Sequence, residues 1–303
     1  ISTLPDIRNL PNAGRESRAP TVRMRGATVA YKTSEGLFGR KEFVAVKGAT
    51  LDLPQGHIVG LVGESGSGKT SLGRAILQAA PITDGTIEHD FGGETFRVGE
   101  LRGDQERRFR KHAQLIFQDP YGSLNPRMTV RDIIADPLEA MSLTKNRDET
   151  DQRVREIALK CRLDLDHLRR FPHAFSGGQR QRISIARALV SRPSLVIADE
   201  AVAALDVSIQ AEILDLLKQL QTEMDLTILF ISHDLSVIAN LCDSVVVMRR
   251  GEIVEQGSVR EIFLAPKQDY TRDLISAVPT LEKAFSSPPI QPPRLFEGPI
   301  ASA

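Results

Sequence analysis

Gly63-Glu64-Ser65-Gly66-Ser67-Gly68-Lys69-Thr70 fits G-x-x-x-x-G-K-[ST], the pattern of a phosphate-binding loop. Ahead of it, Ile58-Val59-Gly60-Leu61-Val62 is an apolar run that reads as a buried strand. Behind it, Lys69 to Ala80 reads as a helix with Leu72, Ile76 and Leu77 on one face. Strand, glycine loop and helix are the context the motif requires. Glycines at 63, 66 and 68 let the backbone curl so that successive N–H groups point at phosphate oxygens, and the helix N-terminus adds its partial positive charge. The expected cradle comprises Gly63, Ser65, Gly66, Ser67, Gly68, Lys69, Thr70 and Ser71. In it Lys69 reaches the β- and γ-phosphates and Thr70 offers a hydroxyl to Mg²⁺.

A chain of 303 residues is long enough for a substantial core, in one large domain or two intimate ones. Lys plus Arg equals Asp plus Glu at 39 each, so no bulk basic field points to nucleic acid as a partner. Cys161 and Cys242 lie far apart and outside any C-x-x-C spacing, which fits a reducing compartment, gives no metal site and makes both small buried hydrophobes. No window approaches the roughly 20 apolar residues that span a bilayer. Ile1 is not a start residue and no signal pattern follows it, so the numbering is expected to begin inside a longer product or after trimming; residues 1 to 20, with three prolines, read as a flexible arm or linker.

Val22 to Tyr31 alternates apolar and charged residues as a half-buried strand does, Gly36 to Lys41 reads as a turn, and Phe43 to Leu53 is a second strand. An antiparallel layer is therefore expected before the phosphate loop. Tyr31 ends its strand where a flat ring can stack on a purine or pack on the core. Beyond the loop helix, Thr83-Asp84-Gly85-Thr86 and Gly92-Gly93 read as turns, Leu101 to His112 as a charged helix and Ala113 to Phe117 as a strand. That strand runs into Gln118 and a proline-broken loop to Pro126. At a strand end Gln118 is placed to ligate Mg²⁺ or hold a water, or is simply a loop amide.

From Thr129 to about Phe175 the pattern is helical, with Val154, Ile157, Ala158 and Cys161 forming one apolar stripe. Ser176-Gly177-Gly178-Gln179 then opens a helix through Val190, where Ser176 is either an N-cap or part of an anion site. Pro193 to Glu200 is an apolar strand ending in two carboxylates: Asp199 can hold Mg²⁺, and Glu200 can polarise a water against the γ-phosphate. A helix over 207 to 223 shows Ile209, Ile213, Leu216 and Leu220 on one face, and Thr227 to Ile231 is a strand ending at Ser232-His233-Asp234, where His233 either donates to the γ-phosphate or is structural. Short helices near Glu261 to Leu264 and Tyr270 to Ala277 precede a disordered tail marked by Pro288-Pro289 and Pro292-Pro293.

In sequence and spacing, Tyr31, the loop at 63 to 70, Gln118, Ser176 to Gln179, Asp199-Glu200, Leu205-Asp206 and His233 resemble the ATP-binding subunits of ABC transporters over residues 21 to 258. The resemblance implies an α/β fold, a P-loop NTPase (ABC ATPase) core with an antiparallel β layer and an inserted α-helical subdomain at about 119 to 175. It implies ATP and Mg²⁺ as cofactors, Tyr31 for adenine stacking, Gln118 for Mg²⁺ and transmission, Ser176 to Gln179 as the signature, Asp206 in an interface loop, and His233 as the switch.

Pro172-His173-Ala174-Phe175, the loop Gln118 to Pro126, and Asp269-Tyr270-Thr271 to Ser276-Ala277-Val278-Pro279 resemble more narrowly the oligopeptide and dipeptide importer subfamily. Phe175 stands where many relatives carry Leu, and Ala201 and Ala203 replace a Pro and a Ser, Ala203 removing one hydrogen bond from the interface loop. With no cysteine beyond 242, no iron–sulfur centre is expected. The resemblance implies a peripheral subunit at the cytoplasmic face of the membrane, transmembrane permease subunits, a separate solute-binding protein, and a second ATP-binding subunit that is unlike, identical or fused. Two such subunits would close head to tail, each ATP lying between one chain's phosphate loop and the other's signature. The other reading is a soluble ABC ATPase acting on ribosomes or nucleic acid, which a second cassette and a basic linker would favour.

Overall fold

The computed structural model describes residues 18–35, 39–119 and 122–277. The arm before Arg18, the centre of the expected turn at 36 to 41 and the proline-rich tail lie outside the described residues. Two sheets carry the fold. Strands β1 (Pro20–Glu35) and β2 (Gly39–Pro54) pair with each other, then β3 (Ile58–Val62) opens the second sheet and β4 (Ile82–Phe91) and β5 (Glu94–Arg97) complete the first, in antiparallel order β2-β1-β4-β5. The second sheet adds β6 (Ala113–Ile116), β7 (Leu195–Asp199), β8 (Thr227–Ile231), β9 (Ser244–Arg249) and β10 (Glu252–Ser258) to β3, in the order β10-β9-β3-β8-β7-β6. Its strands are parallel except for β10, which returns antiparallel on β9.

The parallel strands are apolar on both faces because both faces are covered. Ile58 and Val62 of β3 enter one core with Val196, Ala198, Ile228 and Phe230. Val59 and Leu61 enter the other with Leu195, Ile197, Leu229 and Ile231. The first core is closed by α3 (Val130–Ala140), α4 (Arg147–Lys160), α5 (Gly177–Leu189), α6 (Val207–Met224) and α7 (Leu235–Leu241). The second is closed by the antiparallel sheet, by α1 (Lys69–Ile76) and by α2 (Asp104–His112). Helices α8 (Val259–Leu264) and α9 (Asp269–Ser276) follow β10. Val154, Ile157, Ala158 and Cys161 are all buried, as their stripe requires. Burial pushes the Cys161 thiol up to about 12 and raises that of Cys242 well above its usual value, so neither is a nucleophile at neutral pH.

The first hairpin is longer than the periodicity indicates, β1 running past Tyr31 to Glu35 and β2 starting at Gly39 inside the expected turn, and three further boundaries differ. Helix α1 stops at Ile76 rather than Ala80: Gln78 is left-handed at φ 56°, and the N–H groups of Gln78 and Ala79 turn back to the carbonyls of Ala75 and Arg74. That is a Schellman closure with Gln in the place glycine usually takes. Thr83 to Thr86 is not a turn but part of β4. The pairing shifts between Arg25↔Thr86 and Thr28↔Asp84, so Gly26 and Ala27 bulge opposite Gly85, where a side chain would lie 2.3 Å from the Gly26 carbonyl. Helix α2 begins only at Asp104, because Leu101 is drawn into the aromatic core with Phe91, Phe96 and Phe109.

Candidate nucleotide site

The phosphate loop leaves β3 at Val62 and is pressed between two other segments. At Gly63, φ 147°, a Cβ would stand 2.1 Å from the Met248 carbonyl oxygen; at Gly68 it would stand 2.4 Å from that of Ala45. The loop therefore sits lower than any side chain at these positions would allow. The Ser67 carbonyl also accepts the Gly251 N–H at 2.9 Å, fastening the loop to the turn between β9 and β10. Ser65 and Gly66 are exposed at the crest and Ser67 is buried.

Lys69 opens α1 and is buried. Its Nζ donates to the carbonyl oxygens of Gly63 at 2.7 Å and Glu64 at 2.8 Å. Burial lowers the ammonium pKa, and the carboxylates of Glu200, Asp199 and Glu64 work against that shift. Beside it, Thr70 Oγ1 donates to Asp199 Oδ1 at 3.2 Å. Burial raises the Asp199 carboxyl, with the Thr70 hydrogen bond opposing and the Glu200 charge reinforcing.

Adjacent parallel strands bring the remaining groups to the same edge of the sheet. Glu200 follows β7, Gln118 stands two residues past β6 and His233 two past β8. Gln118 Nε2 donates to Glu200 Oε2 at 2.7 Å, while His233 Nδ1 lies 3.2 Å from Glu200 Oε1. One carboxylate is thus held at both oxygens by side chains 82 positions before it and 33 after it. Glu200 adopts φ 47°, left-handed and unusual for a side chain of its size, and its N–H donates to the Ile231 carbonyl at 3.0 Å.

Tyr31 is half-buried against the second core, and its hydroxyl is 3.3 Å from Ser71 Oγ on α1, so the ring stands beside the phosphate loop. Ser176 to Gln179 lie elsewhere. Ser176 caps α5 and makes a capping box with Gln179, its Oγ accepting the Gln179 N–H at 3.4 Å while Gln179 Oε1 accepts the Ser176 N–H at 3.3 Å. Gly177 begins α5, and Gly178 packs on Ile209 of α6, where a Cβ would come within 2.4 Å of its side chain. Asp206 precedes α6, exposed, with no side-chain cap bond. Among the described residues no hydrogen bond ties Ser176 to Gln179, or Asp206, to the phosphate loop.

This donor set fits a triphosphate with a hard divalent cation: a backbone cradle closed to side chains, a buried ammonium beneath it, and a hydroxyl paired with a carboxylate at its flank. No cluster of three or more His, Cys, Asp or Glu side chains able to hold a metal by itself is found among the described residues. Mg²⁺ accords with that, since it takes one or two protein oxygens and completes its shell with phosphate and water.

Periodicity missed the hairpin of β9 and β10, although Val245-Val246-Val247 followed by Arg250-Gly251 carries the signal of a strand and a turn. It also missed the contact of α9 with the loop, where Tyr270 Oη accepts the Glu64 N–H at 3.2 Å. No local pattern encodes that contact.

The family described as ABC transporter matches residues 46–203. The oligopeptide transport ATP-binding protein OppF of Streptococcus mutans is 46% identical over 264 residues, 87% of this chain and 83% of that protein. The dipeptide transport ATP-binding protein DppF of Lactococcus lactis is 48% identical over 238 residues, 78% of this chain and 75% of its own length. The ATP-binding cassette MJ0796, solved as a dimer in a post-hydrolysis state bound to ADP and Pi, superposes with a TM-score of 0.67 at 26% identity, covering 78% of this chain and 98% of that one. The cbiO1 protein of Clostridium perfringens, part of the ABC transporter complex cbiONQ, gives 0.69 at 26% identity over 81% and 91%. Taken with the loop, the paired carboxylates and the two-sheet core, these likenesses show that the chain belongs to the ABC transporter family of ATP-binding, ATP-hydrolysing proteins.

Proposed function

We propose that this chain energises the import of peptides, binding ATP in the cradle of residues 63 to 71 and hydrolysing it in a head-to-tail pair with a second ATP-binding subunit. The observation that carries the reading is Glu200, oriented by Gln118 and His233 one residue beyond the carboxylate that meets Thr70. Lys69 binds the β- and γ-phosphate oxygens while its ammonium stays seated on the Gly63 carbonyl beneath it. Thr70, Asp199 and Gln118 would hold Mg²⁺, which would supply neutralisation of the phosphate charge. Glu200 accepts the proton of the water that attacks the γ-phosphorus as the bond to the ADP oxygen breaks, and His233 holds the carboxylate and the γ-phosphate in register. Tyr31 supports the adenine. Ser176, Gly177, Gly178 and Gln179, with Asp206, serve the partner's nucleotide, since their own contacts lead away from this chain's loop.

Peptide as the cargo rests on the likeness to oligopeptide and dipeptide transport proteins. On the same likeness the chain works at the cytoplasmic face of the membrane with permease subunits and a separate solute-binding protein; among the described residues no helix is long and apolar enough to cross a bilayer. The test is to identify what co-purifies from detergent-solubilised membranes and to reconstitute that assembly in liposomes. Permease subunits and ATP-dependent uptake of labelled peptide are expected. Recovery with ribosomes alone, or uptake of another solute with no response to peptide, would overturn the reading.

A further inference from the structure

The segment Asp269-Tyr270-Thr271 has no part in the site described above, yet its tyrosine touches the phosphate loop. Tyr270 is buried on α9, and its Oη accepts the N–H of Glu64 at 3.2 Å. That N–H belongs to the same peptide unit as the Gly63 carbonyl, which accepts from Lys69 Nζ at 2.7 Å. In a trans peptide the C=O and N–H point in opposite directions across one rigid plane. The Gly63–Glu64 plane is therefore gripped on one side by Lys69 and on the other by Tyr270. Gly63, lacking a Cβ, supplies little torsional resistance of its own to rotation of that plane.

The tyrosine is itself held. The Arg249 guanidinium lies over its ring at 4.6 Å, and Arg249 follows Met248, whose carbonyl crowds Gly63. At the start of α9 the Glu255 carboxylate, reaching from β10, accepts the N–H of Lys267 at 2.7 Å and that of Gln268 at 3.2 Å. The result is a continuous bracket from β10 through α9 to the first of the two peptide planes against which Lys69 rests.

We propose that Tyr270 is a positioning residue for ATP binding: its phenol oxygen fixes the Gly63–Glu64 peptide, and through it the site where Lys69 meets the phosphates. This rests on the reading of Lys69 as a phosphate ligand. Tyr270→Phe keeps the ring under Arg249 and removes only the acceptor. Losing one such hydrogen bond should weaken binding of trinitrophenyl-ATP to the full-length chain by about 2- to 12-fold, the range a net contribution of about 0.5–1.5 kcal/mol implies.

The deciding measurement is a double-mutant cycle with Lys69→Ala, with thermal unfolding followed on every variant. Because the effect runs through Lys69, Tyr270→Phe should cost little further affinity in the Lys69→Ala background. A merely structural role would lower affinity equally in both backgrounds, and that result, or unchanged affinity in Tyr270→Phe alone, overturns the proposal. Glu255→Gln, which loosens α9 without touching the loop, should reproduce a smaller loss with the same dependence on Lys69. If Lys69→Ala itself binds like the unmodified chain, the phosphate-loop reading fails instead, and the two failures are told apart by that single arm.

Discussion

Glu200 combines a left-handed backbone, a backbone tie to β8 and side-chain partners on both carboxylate oxygens. A group so fixed is suited to accept a proton from one direction. Glu200→Gln should leave ATP binding intact and lower single-turnover hydrolysis by about a hundredfold or more, the scale of a positioned general base; turnover near that of the unmodified protein in the assembled complex would remove Glu200 from the role. Tyr31 is a sharper case, because its hydroxyl already bonds Ser71 and its ring leans on the core. If the exposed part of the ring also carries the adenine, Tyr31→Ala should weaken ATP binding by about 1–3 kcal/mol, a base-stacking magnitude. Calorimetric titration showing unchanged affinity would make it a packing residue. Tyr31 was singled out as a strand-end ring, yet β1 carries on past it to Glu35; Glu200 was legible in the sequence because it sits at a strand end, where local pattern and position coincide. Tyr270 was not, because its contact with Glu64 joins residues 206 positions apart.

At the level of elements, the continuous apolar runs of the parallel strands and the stripe of α4 could be read directly, since burial on both faces demands the one and burial on a single face the other. The ends of α1 and α2 could not, because a left-handed Gln78 and the capture of Leu101 by an aromatic cluster are tertiary decisions. That cluster makes the antiparallel sheet and α2 sensitive to acid. His89 of β4 is fully buried, edge-on to Phe109 at 4.9 Å between ring centres, and near Phe91 at 5.4 Å. Burial holds its pKa down to about 4 from 6.5, the backbone of Ile76 countering part of the effect. Above 6.5 the ring is neutral in both folded and unfolded chains. As the pH falls toward 4 the unfolded chain binds the proton first, so stability is lost across that window, by at most about 3 kcal/mol from this ring. His112, stacked on Phe91 at 5.1 Å and also lowered by burial, adds in the same direction. His89→Leu should flatten the pH dependence of the urea midpoint between pH 7 and 5; an unaltered slope would show that the imidazole does not couple to unfolding.

For the whole molecule, the proposed head-to-tail pairing assigns Ser176 to Gln179 to the partner's nucleotide, in line with their lack of hydrogen bonds to this chain's phosphate loop among the described residues. With an unlike partner, Lys69→Ala should abolish photolabelling of this chain by azido-ATP under nucleotide-trapping conditions, whereas Ser176→Arg should abolish labelling of the partner. Loss of labelling on its own chain alone after Ser176→Arg would rule out the head-to-tail arrangement. The strand order carries a different consequence, for synthesis. β3, on which the loop stands, is flanked on one side by β8, with Ile58 beside Ile228, and on the other by β9, with Val59 beside Ser244. A ribosome that has made the chain only as far as α5 has already released the whole loop and neither neighbour of its strand. Such non-local parallel pairing forms late and leaves apolar edges open meanwhile. The most diagnostic stretch of this sequence is thus translated well before the strands that flank it, and the loop takes its nucleotide-binding form only once β8 and β9 have been made.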